Sequence, residues 1–313
     1  MSYTGPDFDP PQPRRLRRGP LTVALAALVP GALLGWVVYE AVGGGPGGED
    51  RTASPAPRTS SVSSAPASSP GVDGKPSAPA AGRPGSARPL SGMVVVVDPG
   101  HNPGNFRHTA EIDRPVDIGT NRKECDTTGT STNDGYTEAR FTLDLAHRLR
   151  TLLERQGATV KLTHDGDSPP WGPCVDERAR IGNSAHADAA ISLHADGSAE
   201  GNRGFHVILP GSVHAGAADT RGIVGPSRDL GVRVAGGYRR ETGEPPSNYL
   251  GGGTGLVTRT DLGGLNLSTV PKVFIECGNM RDSKDAALLT NGAWRQRAAQ
   301  GISEGIVSFL HGS

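Results

Sequence analysis

Two histidines and two glutamates stand at points of the sequence where side chains can meet. His101 follows the apolar run MVVVV in VVVVDPGHN, His194 follows AAISL in SLHADG, and Glu276 follows VFI in VFIECGNM. Glu138 sits just before the apolar stripe of the first long helix, at its first turn. In open α/β sheets, ligands bind in the crevice beyond the carboxyl ends of the strands. Two imidazoles and one carboxylate leave the fourth position of a tetrahedral zinc for water, and zinc lowers the pKa of that water to about 7. A second carboxylate can take the water proton and hand it to a leaving amine. No HExxH is present, so only tertiary structure could unite these residues. Taken singly, each has a plainer explanation. A strand-end histidine can be a hydrogen-bonded structural residue, and Glu138 a charge favoured by the helix dipole. Glu276 is harder to explain so, because a carboxylate continuing a buried strand needs a partner. His206, inside GFHVIL, reads as a sheet residue.

The elements that must position these groups are legible from periodicity. MVVVV (93–97) is an unbroken β-branched run, as in a strand buried on both faces. Residues 139–157 place Phe141, Leu145, Leu149, Leu152 and Leu153 on one helical stripe, with Gly157 as the stop. Strands are expected at 158–163, 189–194, 204–209 and 270–276, and helices at 175–187, 227–243 and 293–310. Strand–helix alternation predicts a single α/β domain with a mostly parallel central sheet flanked by helices on both sides.

Composition divides the 313 residues further. Hydrophobic residues make up 35% and aromatics 4%, while Gly (45) and Pro (26) are abundant, so part of the chain is not packed. Lys+Arg and Asp+Glu both number 32, which excludes the global basic field that nucleic-acid binding uses. Residues 1–20 form a basic tail carrying Arg14, Arg15, Arg17 and Arg18. Residues 21–42 read as a transmembrane anchor, charge-free from Leu21 to Tyr39. Such a helix spans roughly 28 Å. A cleaved secretory signal is the alternative. By the positive-inside rule, either places the chain beyond Val42 outside the cytoplasm. Residues 43–89 read as a Pro/Ser/Ala/Gly-rich disordered linker, and residues 90–313 as the folded domain.

VVVVDPGHN, the glutamate opening the next helix, SLHADG and VFIECGNM resemble the successive motifs of the zinc-dependent N-acetylmuramoyl-L-alanine amidases of the amidase_3 type. DPGHN in place of the commoner DPGHGG, together with NRKECDTTGTSTNDGYTE and GPCVDERA, is similar to the actinobacterial branch. The resemblance implies hydrolysis of the amide between the lactyl group of N-acetylmuramic acid and L-alanine in peptidoglycan. It implies Zn2+ held by His101, Glu138 and His194, with Glu276 as the catalytic carboxylate. Cys277 departs from the small or apolar residue usual there, but cysteine packs as a small hydrophobe.

Arg259, in GLVTRTDLGGLN, is a candidate for a stem-peptide carboxylate, since a planar guanidinium suits bidentate contact; a surface ion pair is its alternative. Cys125 and Cys174 lie in polar loops of an exported domain and are expected to pair, leaving Cys277 reduced. Residues 103–136 must lie near the metal mouth, as a gate or as a stapled loop. Expected partners are peptidoglycan and, through the N-terminal helix, the membrane; a monomer is expected. Two rival functions are a catalytically silent wall-binding relative and a zinc peptidase acting on stem peptides.

Overall fold

The computed structural model describes residues 88–312. The basic tail, the segment 21–42 and all but the end of the linker lie outside the described residues. Among the described residues, no helix is long and apolar enough to cross a membrane.

Ten strands and seven α-helices succeed one another among the described residues. The central strands are β1 (Val94–Pro99), β4 (Thr159–Leu162), β5 (Ala189–Asp196), β6 (His206–Pro210), β9 (Leu256–Arg259) and β10 (Lys272–Asn279). Two small hairpins are made by β2 (Pro115–Asp117) with β3 (Arg122–Glu124), and by β7 (His214–Ala215) with β8 (Ala218–Asp219). The helices are α1 (Thr109–Ile112), α2 (Glu138–Arg155), α3 (Val175–Ser184), α4 (Val224–Thr242), α5 (Gly263–Asn266), α6 (Ser283–Leu289) and α7 (Gly292–Leu310).

The six-stranded sheet has the order β4-β1-β5-β10-β6-β9. The first four strands are mutually parallel, whereas β6 runs antiparallel to β10 and β9 parallel to β6. The expected mostly parallel sheet is therefore present with one reversed flank. The reason is the link between β5 and β6, which contains no helix and is too short for a crossover, so β6 returns from the edge where β5 ends. Strand β9 escapes the sequence reading because its residues are half-buried or exposed. Helix α3 stops at Ser184, short of the expected 187, and His186 beyond it takes a positive φ of 47°.

Side chains alternate across the sheet. Val95, Val97, Leu193, Ile275 and Cys277 face one large core with Phe141, Leu145, Leu149 and Leu153 of α2 and with α4 and α7. The α4–α7 crossing explains the glycines that weaken the helical pattern of α4. A Cβ on Gly237 would lie 2.3 Å from the Gly301 carbonyl oxygen, so the two backbones touch only because both are glycine. On the opposite face, α3 packs over a small cluster of Val96, Ala187 and Ala190, with Val94 and Val270 beside it. Asp98, Ser192, His194, Phe274 and Glu276 continue that second face by the period of two. The site is thus built on a sheet face left open beyond α3 as well as at the strand ends.

Candidate metal centre and active site

Strand register brings the glutamate and histidine together. Glu276 of β10 is the direct neighbour of His194 in β5 and of His206 in β6. His101 lies just past β1 with a φ of 60°, a left-handed conformation that an L-residue holds only where its surroundings demand it. Glu138 enters from the first turn of α2 and is buried. Its Oε2 lies 3.1 Å from His101 Nε2 and its Oε1 2.9 Å from His194 Nδ1. One ligand atom from each of the three residues falls within 4.8 Å of the others. The carboxylate also accepts from the backbone N–H groups of Thr130 (3.0 Å) and Ala195 (3.2 Å). Burial alone would raise its pKa, but the two imidazoles outweigh it and hold it ionised, well below the usual range. For His101, burial opposes the charge, yet Glu138 and Asp126 overcome it and raise its pKa. Gly129 makes room for this cluster: a Cβ there would lie 2.6 Å from His101 Cδ2 and 2.8 Å from Glu138 Oε2.

Both histidines are held from behind. His101 Nδ1 lies 3.1 Å from the Thr127 carbonyl oxygen and 3.4 Å from Asp126 Oδ1. His194 Nε2 lies 3.2 Å from Ser192 Oγ, whose hydroxyl donates to Asp98 Oδ2 at 2.9 Å. The His194 ring stacks on Phe274, centroids 5.3 Å apart. Asp98 further accepts from Arg178 Nη1 (2.8 Å), Lys272 Nζ (3.1 Å) and Thr163 Oγ1 (2.7 Å). Burial pushes the Asp98 carboxyl up, but Lys272 and Arg178 bring it far below the usual range. Asp98, Asp126, Arg178 and Lys272 were not singled out by the sequence reading. Lys272 inside the apolar strand VPKVFIE is the signal that could have found them, because a buried ammonium requires a carboxylate.

Glu276 is the odd member of the cluster. Its Oε2 is buried and hydrogen-bonded to nothing. Burial, reinforced by the negative charges of Glu138 and Asp196, raises its pKa well above the ordinary value. An unpartnered carboxyl oxygen beside a converged His–Glu–His donor set fits a site built for a cation and a water.

Cys125 and Cys174 form a disulfide, and Cys277 is free and buried. The bridge sits in a small apolar cluster with Val116 and Ile118. It joins the residue before Asp126 to the N-cap of α3, the helix carrying Arg178. The segment 103–136 passes over the site through Thr127–Thr130, as its place between His101 and Glu138 requires. Arg259 lines the same cavity as Glu276. Its guanidinium is engaged with Asp261, through Nε at 2.8 Å and Nη2 at 2.7 Å.

Residues 95–308 match the family model described as N-acetylmuramoyl-L-alanine amidase. The chain is 40% identical over 223 residues to the N-acetylmuramoyl-L-alanine amidase Rv3717 of Mycobacterium tuberculosis, covering 71% of this chain and 88% of that one. The structure is similar to the crystal structure of the N-acetylmuramyl-L-alanine amidase Ami1 from Mycobacterium smegmatis, with a TM-score of 0.65 and 39% identity. That match covers 72% of this chain and 99% of the other. It is likewise similar to Ami1 from Mycobacterium abscessus, with a TM-score of 0.64, 38% identity, and coverage of 71% and 100%. With a family match over more than two thirds of its length and a relative 40% identical, the chain belongs to the amidase_3 family of N-acetylmuramoyl-L-alanine amidases.

Proposed function

We propose that the protein hydrolyses the amide between the lactyl group of N-acetylmuramic acid and the L-alanine of the stem peptide, with His101, Glu138 and His194 holding zinc. The observation that carries this reading is the convergence of those three donors beside the unpartnered Oε2 of Glu276. Zinc, when bound, supplies Lewis acidity that activates water and polarises an amide carbonyl. Glu276 Oε2 accepts the proton of the attacking water as oxygen bonds to the lactyl carbonyl carbon. It returns that proton to the alanine nitrogen as the C–N bond breaks, leaving a lactyl carboxylate and a free amine. Arg259, released from Asp261, is suited to a stem-peptide carboxylate.

The segment 21–42 supports an extracytoplasmic site of action, as membrane anchor or cleaved signal, with residues 90–313 as the catalytic domain. A silent wall-binding relative would have no need of all four site residues, and they are present. Product analysis separates amidase from stem-peptide peptidase, because only the amidase frees the lactyl carboxylate.

The test is Glu276→Gln, with zinc content and peptide release from muramyl peptides measured together. Retained zinc with a rate loss of about 10²–10⁴ supports the assignment. Full activity in the variant, or no zinc in folded wild-type protein, sinks it.

A further inference from the structure

We infer that the groove flanked by Phe106 is the subsite for the glycan strand beyond the cleaved muramyl residue, with Phe106 as its stacking platform. The inference rests on the amidase reading above. A groove of about 460 Å³ adjoins the site and shares Gly129, Thr130 and Gly197 with the cavity that holds His101, His194 and Glu276. Its remaining wall is formed largely by Asn102, Phe106, Thr128, Ser131 and Arg281. No carboxylate lines it, and Arg281 is turned onto Asn133, 3.1 Å from its Oδ1. The hydroxyl groups of Thr128, Thr130 and Ser131 beside one aromatic ring suit a hydroxyl-rich ligand. The substrate divides chemically in the same way. Its stem peptide carries carboxylates and suits the cavity that Arg259 lines, while its sugar chain is uncharged and suits a groove whose only charged wall residue is Arg281.

Phe106 is 64% exposed and is the one exposed aromatic among the large hydrophobics of the described residues. It is held out by buried neighbours. Asn105, fully buried, donates to the Thr127 carbonyl oxygen at 2.7 Å and accepts from Gly172 N at 2.8 Å. The Asn102 side chain donates to the carbonyl oxygens of Pro169 (3.0 Å) and Gly172 (2.9 Å) and accepts from Gly104 N (2.8 Å). The Arg107 guanidinium lies 4.9 Å from the ring centroid. With Arg107 over one face, the exposed ring at the edge of the groove offers its other face to the C–H face of a pyranose.

Phe106→Ala and Phe106→Trp in the full-length chain test this. Two substrates are compared: muramyl dipeptide, and glycan strands bearing the same stem. The alanine variant is expected to lose about three- to tenfold in kcat/KM on strands, through KM, and to stay within about twofold on muramyl dipeptide. The tryptophan variant is expected to restore the loss. Binding of a β-1,4-linked N-acetylglucosamine tetramer to metal-free protein, read by NMR, is expected to perturb Phe106 and to weaken in Phe106→Ala. Equal loss on both substrates, unchanged strand cleavage, or tetramer binding indifferent to Phe106 would overturn the proposal. A wild-type protein that binds the tetramer through Phe106 but cleaves neither substrate would overturn the amidase reading and leave the glycan groove standing.

Discussion

Arg178 donates from Nη2 to Asp126 Oδ2 at 2.8 Å, with neither side chain more than 6% exposed. The same guanidinium reaches Asp98 through Nη1 and the carbonyl oxygens of Pro99 and His101. One arginine on α3 therefore fixes both carboxylates that stand behind the histidine pair. Replacing it by alanine leaves the buried Asp126 without its main counter-charge and the buried Asp98 with Lys272 alone. Arg178→Ala is expected to destabilise the domain by about 3–5 kcal/mol in urea unfolding. A loss under about 1 kcal/mol would mean that water replaces the guanidinium, contrary to its burial.

Asp126 acts on His101 rather than on substrate. Its Oδ1, 3.4 Å from Nδ1, helps aim Nε2 at the cluster. Asp126→Asn keeps the shape and removes the charge. With the proposed metal site, its zinc affinity is expected to fall about 10- to 100-fold, measured by competition with a chromophoric chelator. Unchanged affinity in the folded variant would show that the Thr127 carbonyl oxygen orients the ring alone.

The depressed carboxyls of Asp98 and Asp126 make the fold acid-sensitive. A carboxyl whose folded pKa lies below its unfolded value contributes its full stability above the unfolded pKa, about 3.9, and loses it as pH falls toward the folded pKa. Stability should therefore hold above about pH 5 and drop by about 1.4 kcal/mol per pH unit per carboxyl below about pH 4. The gap between wild type and Asp98→Asn should narrow over that window. A gap that stays constant from neutrality to about pH 2 would place the acid sensitivity elsewhere.

The disulfide closes a sequence separation of 49 residues. Chain entropy then gives about 4 kcal/mol of stabilisation. The double variant Cys125→Ser/Cys174→Ser is expected to lose roughly 2–5 kcal/mol in denaturant unfolding. Native protein should show no titratable thiol, because Cys277 is buried and burial pushes its pKa up. Rapid labelling of Cys277 in the folded chain would contradict this placement.

Residue type and chain order made His101, Glu138, His194 and Glu276 candidates, because three close apolar strands and the fourth opens an amphipathic helix, and the motif resemblance gave them their roles. The α/β class was legible for the same reason: Val94–Val97 and the stripe Phe141–Leu153 carry their periods in the local sequence. The cysteine pairing came from loop context. Long-range register was out of reach. That Glu276 stands beside His194, and that β6 reverses, depend on pairings between strands remote in sequence, which no local period encodes. The Asp98–Arg178–Asp126 network was hidden likewise, since polar residues look alike in sequence until tertiary burial removes water from some of them. Tertiary structure also decided which sheet face stays open, because that depends on where α3 ends its cover over Val96 and Ala190.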